Sequence, residues 1–551
     1  MQCRLCQRVA RALSPVSGYR VPKYYDTWEQ RSVKLGSWQE LQENQSCPTC
    51  SLIAVLFNTE FEKHGSNPKS VDYEFYLWDV ANSLMTGISL RLESESDTFW
   101  PLLTINPLSE GFSECRGVVM DQDWVDIERI SEWIKSCDTT HGKCHCQIFN
   151  PGESFPNRDM YLISVSRNCL VKANSGNRYV ALSYVWGAES RQFRTLRANV
   201  TSLRSEGSLS NTEVQDHLPD TIKRAMHFTS LLGLDLLWVD LLCIVQDEPV
   251  HTATQINNMA SIYSNSYLTL CAADGIDANT GLLGVPQCSE SRNIHQDTLA
   301  FTDGLVTSKW VRWMYGGSVY DERGWTFQEK VLSRRILSFT NHGLEWRCQK
   351  VVSQEQDLSA RRPASTYSDL SIVRADTLWP CLKKWDNLVA SYLERRLTYE
   401  EDILRAFSGI LEALNGSMTG GFHFGLPQQF FDAALLWVPS EPLTRRESFR
   451  NGIAKPAPPS WSWAGWKGAR KSQINAFGLG HVRSNLMMDL IPRKRDIFPL
   501  VTWFKLDMDT LEKAEIPNNY AKYQANGLEG TVTLPFGWSS YLGRPVLLQI
   551  S

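Results

Sequence analysis

The run LLWVDLLCIVQ, from Leu236 to Gln246, is apolar on both sides of one carboxylate, Asp240. Two turn-prone residues, Asp247 and Pro249, close the run. A short run that is apolar on every face is typical of a buried central strand in a parallel sheet, although a buried helical segment can look the same. A carboxylate there needs hydrogen-bond partners or a place at the carboxyl end of the strand, where open α/β sheets bind ligands. Asp240 is therefore predicted to be either a site residue or a structural cap of the following loop.

Strand and helix patterns alternate around this run. Upstream, Tyr179–Val185 predicts a strand that ends in a sharp turn at Trp186-Gly187. Between the two strands, apolar residues recur at helical spacing after Pro219, a favoured first-turn residue, and stop at Gly233, a favoured helix terminator. This pattern predicts Tyr179–Val185 and Leu236–Asp240 as adjacent, buried, parallel strands joined by a helix.

The alternation continues downstream. It comprises a helix at Ile256–Tyr263, a strand at Tyr267–Ala272, a helix at Glu322–Leu332 and strands at Arg335–Phe339 and Leu344–Cys348. We therefore expect an α/β fold with a parallel, doubly wound sheet covered on both faces. The long insert Leu283–Asp321 has no regular pattern and is expected to decorate the edge of that sheet.

The flanking regions differ in character from this α/β core. Upstream, an α+β region is predicted from three strand patterns and a helix, at Tyr73–Trp78, Ile88–Leu92, Thr98–Leu103 and Ile127–Ser136. Downstream, we expect a helix at Leu397–Asn415 and a half-buried strand at Ser460–Trp466, followed by irregular strands. The predicted domains are residues 1–150, a Cys-rich α+β region, residues 170–350, the α/β domain, and residues 351–551, a mixed, strand-rich C-terminal region.

The composition of the 551 residues limits the class of protein. A net charge of −4 gives no broad basic surface, so nucleic acid is not an expected partner. No uncharged apolar stretch is long enough for a membrane span, and no apolar segment of a secretory signal follows Met1. The 14 cysteines are then expected to be free thiols or metal ligands, and not a disulfide framework. The expected location is the cytoplasm, with the nucleus left open.

Two pairs of cysteines, Cys3/Cys6 and Cys47/Cys50, have the CxxC spacing. Four thiolates in two such pairs are a ligand set of structural Zn²⁺, although the loop between the pairs is longer than in common zinc ribbons. A second group, whose residue types also suit zinc, follows the predicted helix and consists of Cys137, His141, Cys144, His145 and Cys146. For both groups the alternative is thiols without a metal ion.

Several motifs together resemble the fungal heterokaryon incompatibility domain. They lie in the order typical of that family, from about residue 180 to about residue 350 with one further downstream. They are YVALSYVWG (Tyr179–Gly187), LPDTI (Leu218–Ile222), LWVDLLCIVQ (Leu237–Gln246), Met259–Tyr263, Gly281-Leu282, RGWTFQE (Arg323–Glu329) and PSWSWA (Pro459–Ala464). The upstream cysteine groups also look like those of this family.

The resemblance implies a role in fungal non-self recognition and in programmed cell death after unlike cells fuse. It also implies a flavodoxin-like sheet, distantly similar to Toll/interleukin-1 receptor domains. Some members of that fold cleave NAD⁺ with a glutamate four residues after a tryptophan, which is the spacing of Trp325 and Glu329. Glu329 is then the expected catalytic residue and NAD⁺ the substrate. The residues expected to line the cleft are Ser183, Trp186, Gly187, Asp240, Asp274, Gly275, Arg323 and Trp325.

Other functions also fit the sequence. The domain could be a non-enzymatic scaffold that associates with itself or with another protein, and such a scaffold would tolerate Glu329→Gln. Cys243 could be the nucleophile of a thiol hydrolase, although a thiol in an apolar run is usually inert. Trp186, Trp325 and the turn Asp274-Gly275 have structural explanations as well, as core aromatics and an ordinary turn.

Overall fold

The computed structural model describes residues 3–13, 32–63, 72–81, 86–94, 102–107, 117–141, 160–174, 176–187, 192–301, 304–310, 318–348, 351–356, 362–363, 382–415, 418, 420–435, 437, 442–450, 453–455, 457–467, 504–506, 513–516, 531–533 and 547–549. The chain divides into two compact units. The first is Met1–Asp321 with Leu332–Ser371, and the second is Glu322–Val331 with Ile372–Ser551.

The described α-helices are α1 Arg4–Leu13, α2 Trp38–Glu43, α3 Pro48–Lys63, α4 Ile127–Thr140, α5 Thr212–Gln215, α6 Asp220–Leu231, α7 Asp240–Cys243, α8 Pro249–Asn257, α9 Met259–Asn265, α10 Gly324–Leu332, α11 Leu382–Leu393, α12 Ser408–Asn415 and α13 Phe431–Ala434. Short 3₁₀ turns lie at Ser202–Arg204, Ser208–Ser210, Glu400–Ile403, Arg405–Phe407, Gln428–Phe430 and Trp463–Gly465.

The described strands of the first unit are β1 Ser32–Ser37, β2 Glu74–Ala81, β3 Thr86–Glu93, β4 Leu102–Pro107, β5 Met160–Ser164, β6 Cys169–Ala173, β7 Val180–Ser183, β8 Leu236–Trp238, β9 Leu268–Ala272, β10 Thr298–Phe301, β11 Gly304–Trp310, β12 Arg335–Thr340, β13 Gly343–Cys348, β14 Val351–Gln354 and β15 Arg362–Pro363. Those of the second unit are β16 Phe422–His423, β17 Leu426–Pro427, β18 Thr444–Arg445, β19 Ser448–Arg450, β20 Ile453–Lys455, β21 Trp466–Lys467, β22 Phe504–Leu506, β23 Lys513–Glu515, β24 Thr531–Thr533 and β25 Leu547–Gln549.

An antiparallel sheet forms the N-terminal part of the first unit. Its strand order among the described residues is β1-β2-β3-β4-β11-β10, and α2 and α3 help to cover a core in which Phe57 lies edge-on to both Trp38 and Phe75. Strands β10 and β11 come from the insert Leu283–Asp321. The expectation that this insert decorates the α/β sheet was therefore wrong, because β11 pairs with β4 and completes a different sheet.

A mixed sheet forms the rest of the first unit. The described strands have the order β15-β14-β13-β12-β9-β7-β8-β5-β6. Strands β12, β9, β7 and β8 are parallel, and Val180 pairs with Leu237 as predicted for adjacent strands. The outer strands are antiparallel, so the prediction of a purely parallel sheet was wrong. Two-residue connections such as Asn341-His342, between β12 and β13, allow only an antiparallel neighbour.

The helix between β7 and β8 begins and ends as its sequence predicts. Pro219 occupies the N-cap position before α6, and Gly233 follows its end with a φ of +68°, a backbone conformation that glycine adopts without strain. In contrast, the strand predicted for Leu236–Asp240 ends at Trp238. Asp240 begins the helical turn α7, whose residues Leu241–Cys243 are buried, so the apolar run is strand and helix in succession.

The second unit has its own aromatic core. Phe327, on α10, lies beside Tyr392 and Phe407, with ring centroids 5.7 and 6.3 Å away. Trp463 meets Phe407 edge-on at 5.6 Å. The predicted helix Leu397–Asn415 is two 3₁₀ turns followed by α12, and Ser460–Trp466 contains a 3₁₀ turn where a strand was expected. Within the described residues, no helix is long and apolar enough to cross a membrane.

Candidate functional site

The carboxyl ends of β7, β8 and β9 lie along one edge of the mixed sheet because the three strands are parallel. Trp186, just after β7, donates from Nε1 to Oδ2 of Asp240 at 2.7 Å. Asp240, just after β8, accepts through Oδ1 from the backbone N–H of Leu241 at 2.8 Å. Two of the predicted site residues are thus in direct contact, and the Asp240 carboxylate stabilises both the indole and the first turn of α7.

The turns that follow β7 and β9 approach each other closely at this edge. Gly187 has a φ of +74°, and a Cβ built on it would lie 2.8 Å from Cβ of Asp277. A Cβ on Gly275 would lie 2.9 Å from the backbone of Gly281. No side chain fits at such distances, so both predicted glycines are required by the close packing of the protein's own turns.

Asp274 holds the loop that follows β9. Its two carboxylate oxygens accept from the N–H groups of Leu282, at 3.1 Å, and Leu283, at 3.0 Å. Burial raises the pKa of Asp274 to about 6, while the two hydrogen bonds favour its ionised form. Arg224, on α6, also donates to two carbonyl groups of this loop, at 3.0 and 2.9 Å. The loop is therefore fixed from both sides.

Ser183, the last residue of β7, is fully buried and is hydrogen-bonded to the hydroxyl of Tyr320 at 2.7 Å. That hydroxyl also donates to Sγ of Cys271 at 3.2 Å, so the serine belongs to a buried polar cluster. Cys243, the thiol considered as a nucleophile, is fully buried as well, and burial raises its pKa to about 12. A thiol that keeps its proton at neutral pH is a poor nucleophile.

A polar pocket of about 230 Å³ lies beside this edge, around the amino end of α6. It is lined by Gln192, Asp216, His217, Leu218, Pro219, Asp220, Lys223 and Asn279. Gln192 connects the pocket to the edge because its Nε2 donates to the carbonyl of Trp186 at 2.8 Å. None of these residues was predicted from the sequence to be a site residue. The motif LPDTI was the available signal, since three of its residues line the pocket.

The other predicted site residues belong to the second unit. The carbonyl of Arg323 accepts from the side chains of Thr326, at 2.9 Å, and Arg395, at 3.2 Å. Trp325 is half-buried, and the side chain of Glu329 lies on α10 with 6% of its surface exposed. The catalytic role of Glu329 stays a prediction.

The two CxxC pairs converge, as predicted. Cys3 and Cys47 each precede a helix, and Cys6 and Cys50 lie in the first turn of α1 and α3. The Sγ–Sγ distances are 3.2 Å for Cys3 and Cys50, 3.5 Å for Cys6 and Cys47, and 3.4 Å for Cys6 and Cys50. Sulfurs around a tetrahedral Zn²⁺ lie about 3.8 Å apart, so the four residues fit one ion.

Two thiols of this cluster, Cys6 and Cys50, differ in their readiness to ionise. The hydrogen bond from Cys50 lowers the pKa of Cys6 to about 6, and the same bond raises the pKa of Cys50. Cys6 thus forms a thiolate before Cys50 does, and thiolates are the form in which cysteines bind metal ions.

These features define an α/β domain with a polar pocket at the carboxyl edge of its parallel strands. Residues 179–329 match the family model described as Heterokaryon incompatibility protein (HET), so the chain carries a heterokaryon incompatibility domain. The last eight matched residues, 322–329, fall in the second unit. Neither the curated proteins nor the solved structures contain a match to this chain.

Proposed function

We propose that the protein acts in heterokaryon incompatibility, the recognition of non-self after fungal cells fuse, and that it triggers programmed cell death. The family match over residues 179–329 carries this proposal. We further propose that the domain has a flavodoxin-like core, similar to Toll/interleukin-1 receptor domains, and that it acts in the cytoplasm. The four parallel strands β12, β9, β7 and β8 support the proposed core.

The proposed reaction is hydrolysis of the bond between nicotinamide and ribose in NAD⁺. Cleavage of this bond passes through a state in which the ribose resembles an oxocarbenium ion, as in glycoside hydrolysis. An ionised Glu329 would stabilise that positive charge, and Trp325 would position the carboxylate. The WxxxE spacing and the end of the family match at Glu329 support this assignment.

The polar pocket in the first unit supports ligand binding independently of Glu329. Its lining offers the cationic Lys223 and the imidazole of His217 to a phosphate, and the carboxylates of Asp216 and Asp220 to the hydroxyl groups of a ribose. Lys223 Nζ already lies 3.0 Å from Asp220, so a phosphate there would compete with this ion pair.

The test is NAD⁺ consumption by the purified full-length protein and by its Glu329→Gln variant. The change keeps the shape of the side chain and removes its charge, so the rate should fall by about 10²–10³. Glu322→Gln is a matched control, since Glu322 is partly exposed and pairs with Arg396 at 3.6 Å. Equal rates in wild type and Glu329→Gln would contradict the assignment.

A non-enzymatic scaffold, assembling with itself or with a protein partner, is the second candidate function. The observation that favours it is the hydrogen bonding at the strand edge, where protein groups already satisfy Ser183, Asp240 and Asp274. A scaffold predicts that Glu329→Gln kills cells as efficiently as wild type while no NAD⁺ is consumed by either protein. Loss of killing together with loss of NAD⁺ consumption would exclude this second function.

We also propose that Cys3, Cys6, Cys47 and Cys50 hold a structural Zn²⁺ ion. All four sulfurs lie within 4.8 Å of one another, and three of the four cysteines are buried. An ion there would join the amino ends of α1 and α3, the two helices that carry the ligands.

A further inference from the structure

A second group of metal-binding side chains lies in the first unit, apart from the four-cysteine cluster. Cys137 and His141 are at the carboxyl end of α4, and Cys348 is the last residue of β13. Their ligand atoms all lie within 4.8 Å of one another. Of the group predicted from sequence, Cys144, His145 and Cys146 lie outside the described residues. Cys348 was not predicted, since it is 207 residues from His141 in the chain.

The geometry of this group fits one tetrahedral ion. Cys137 and His141 are one helical turn apart and therefore lie on the same face of α4. His141 Nδ1 is 3.5 Å from Sγ of Cys348. Around Zn²⁺, with bonds of about 2.3 Å to sulfur and about 2.0 Å to nitrogen, a sulfur and a nitrogen ligand lie about 3.5 Å apart.

Both sulfurs accept a hydrogen bond from a neighbouring donor. Arg335, on β12, donates from Nε to Sγ of Cys137 at 3.3 Å. The backbone N–H of Val351 donates to Sγ of Cys348, also at 3.3 Å. Both thiols are buried, with 2% and 0% of their surface exposed. Donors of this kind orient metal ligands and stabilise their negative charge, which a buried thiolate needs.

We propose that Cys137, His141 and Cys348 bind a Zn²⁺ ion, with the fourth coordination position left to water or to another ligand. The ion would fasten the end of α4 to the end of β13. This site involves neither Glu329 nor the polar pocket, so it stands whether or not the protein hydrolyses NAD⁺.

The test measures metal content in zinc-loaded, full-length protein by mass spectrometry. Cys348→Ser and His141→Asn should each hold one ion fewer than wild type. Cys169→Ser is the matched control, because Cys169 is also fully buried in the same sheet but lies in β6. His141 is only half-buried, so His141→Asn decides the matter if Cys348→Ser does not fold.

A second measurement identifies the site that loses its ion. After loading with Co²⁺, the difference spectrum between wild type and His141→Asn should show the visible bands of a tetrahedral ion with mixed sulfur and nitrogen ligands. A Cys6→Ser, Cys47→Ser variant should retain this contribution, since it removes only the four-cysteine site. Metal content unchanged by His141→Asn, or a featureless difference spectrum, would overturn the proposal.

Discussion

Asp240 is predicted to be a structural residue whose two oxygens serve different donors, and Asp240→Asn tests this. The carboxylate accepts from Trp186 Nε1 at 2.7 Å and from the N–H of Leu241 at 2.8 Å. Asparagine has one acceptor oxygen, so one of these two donors must face its NH₂ group. The loss of one hydrogen bond to a charged group costs about 1.5–3 kcal/mol, and exchange of protected amide protons in α7 should become about 10–100-fold faster.

Trp186→Phe supplies the control, because phenylalanine keeps an aromatic ring and removes the indole N–H. In the double variant the asparagine oxygen serves Leu241, and the indole N–H that would face the NH₂ group is gone. The two changes together should therefore cost about 1–2 kcal/mol less than the sum of the single changes. Hydrogen exchange of peptides that span Leu236–Gln246 measures all three variants. Two results would refute the structural role of this contact. One is a double variant whose free-energy cost equals the sum of the two single changes, and the other is unchanged hydrogen exchange in Asp240→Asn.

Three further predictions follow from buried groups. Glu355→Gln should lower the free energy of unfolding by about 3–5 kcal/mol, because Glu355 and Arg292 form an ion pair with each side chain only 4% exposed. Denaturant titration checks this, and Glu248→Gln, in a more exposed pair, should cost less than about 1 kcal/mol. The raised pKa of Asp274, about 6, means that the native state binds more protons than the unfolded state between about pH 4 and pH 6. Stability relative to Asp274→Asn should therefore fall by about 3 kcal/mol as the pH rises through this window and then level off, and parallel curves would contradict this. A strong chelator should speed proteolysis of residues 3–63 in wild type and leave a Cys6→Ser, Cys47→Ser variant unchanged.

The sequence correctly predicted elements whose ends are marked by residues at those ends. Pro219 and Gly233 fixed the ends of α6, and the pairing of β7 with β8 followed from the helix between them, since a helical connection brings a strand back parallel. Local signals could not separate β8 from α7, because a run that is apolar on every face has no period to distinguish a strand from a helical turn.

Contacts between segments that are distant in the chain could not be predicted from the sequence. Nothing in the insert Leu283–Asp321 indicates that its strands join the N-terminal sheet, because strand pairing depends on a partner that lies far away in the chain. Cys348 is a similar case. Its place near Cys137 depends on the hairpin of β12 and β13, and a single cysteine at the end of a strand carries no spacing motif.

The origin of β10 and β11 has a consequence for the synthesis of the protein. Thr49, beside Cys50, donates to the carbonyl of Ala300 on β10 at 2.7 Å. At about 5–20 residues per second, the ribosome reaches this strand about 10–50 s after Cys50. Until then the edge of β4 is an open template for pairing with other chains. A nascent or recombinant fragment that stops before Gly304 lacks β11, the strand that covers the edge of β4, and such a fragment should require a chaperone to stay in solution.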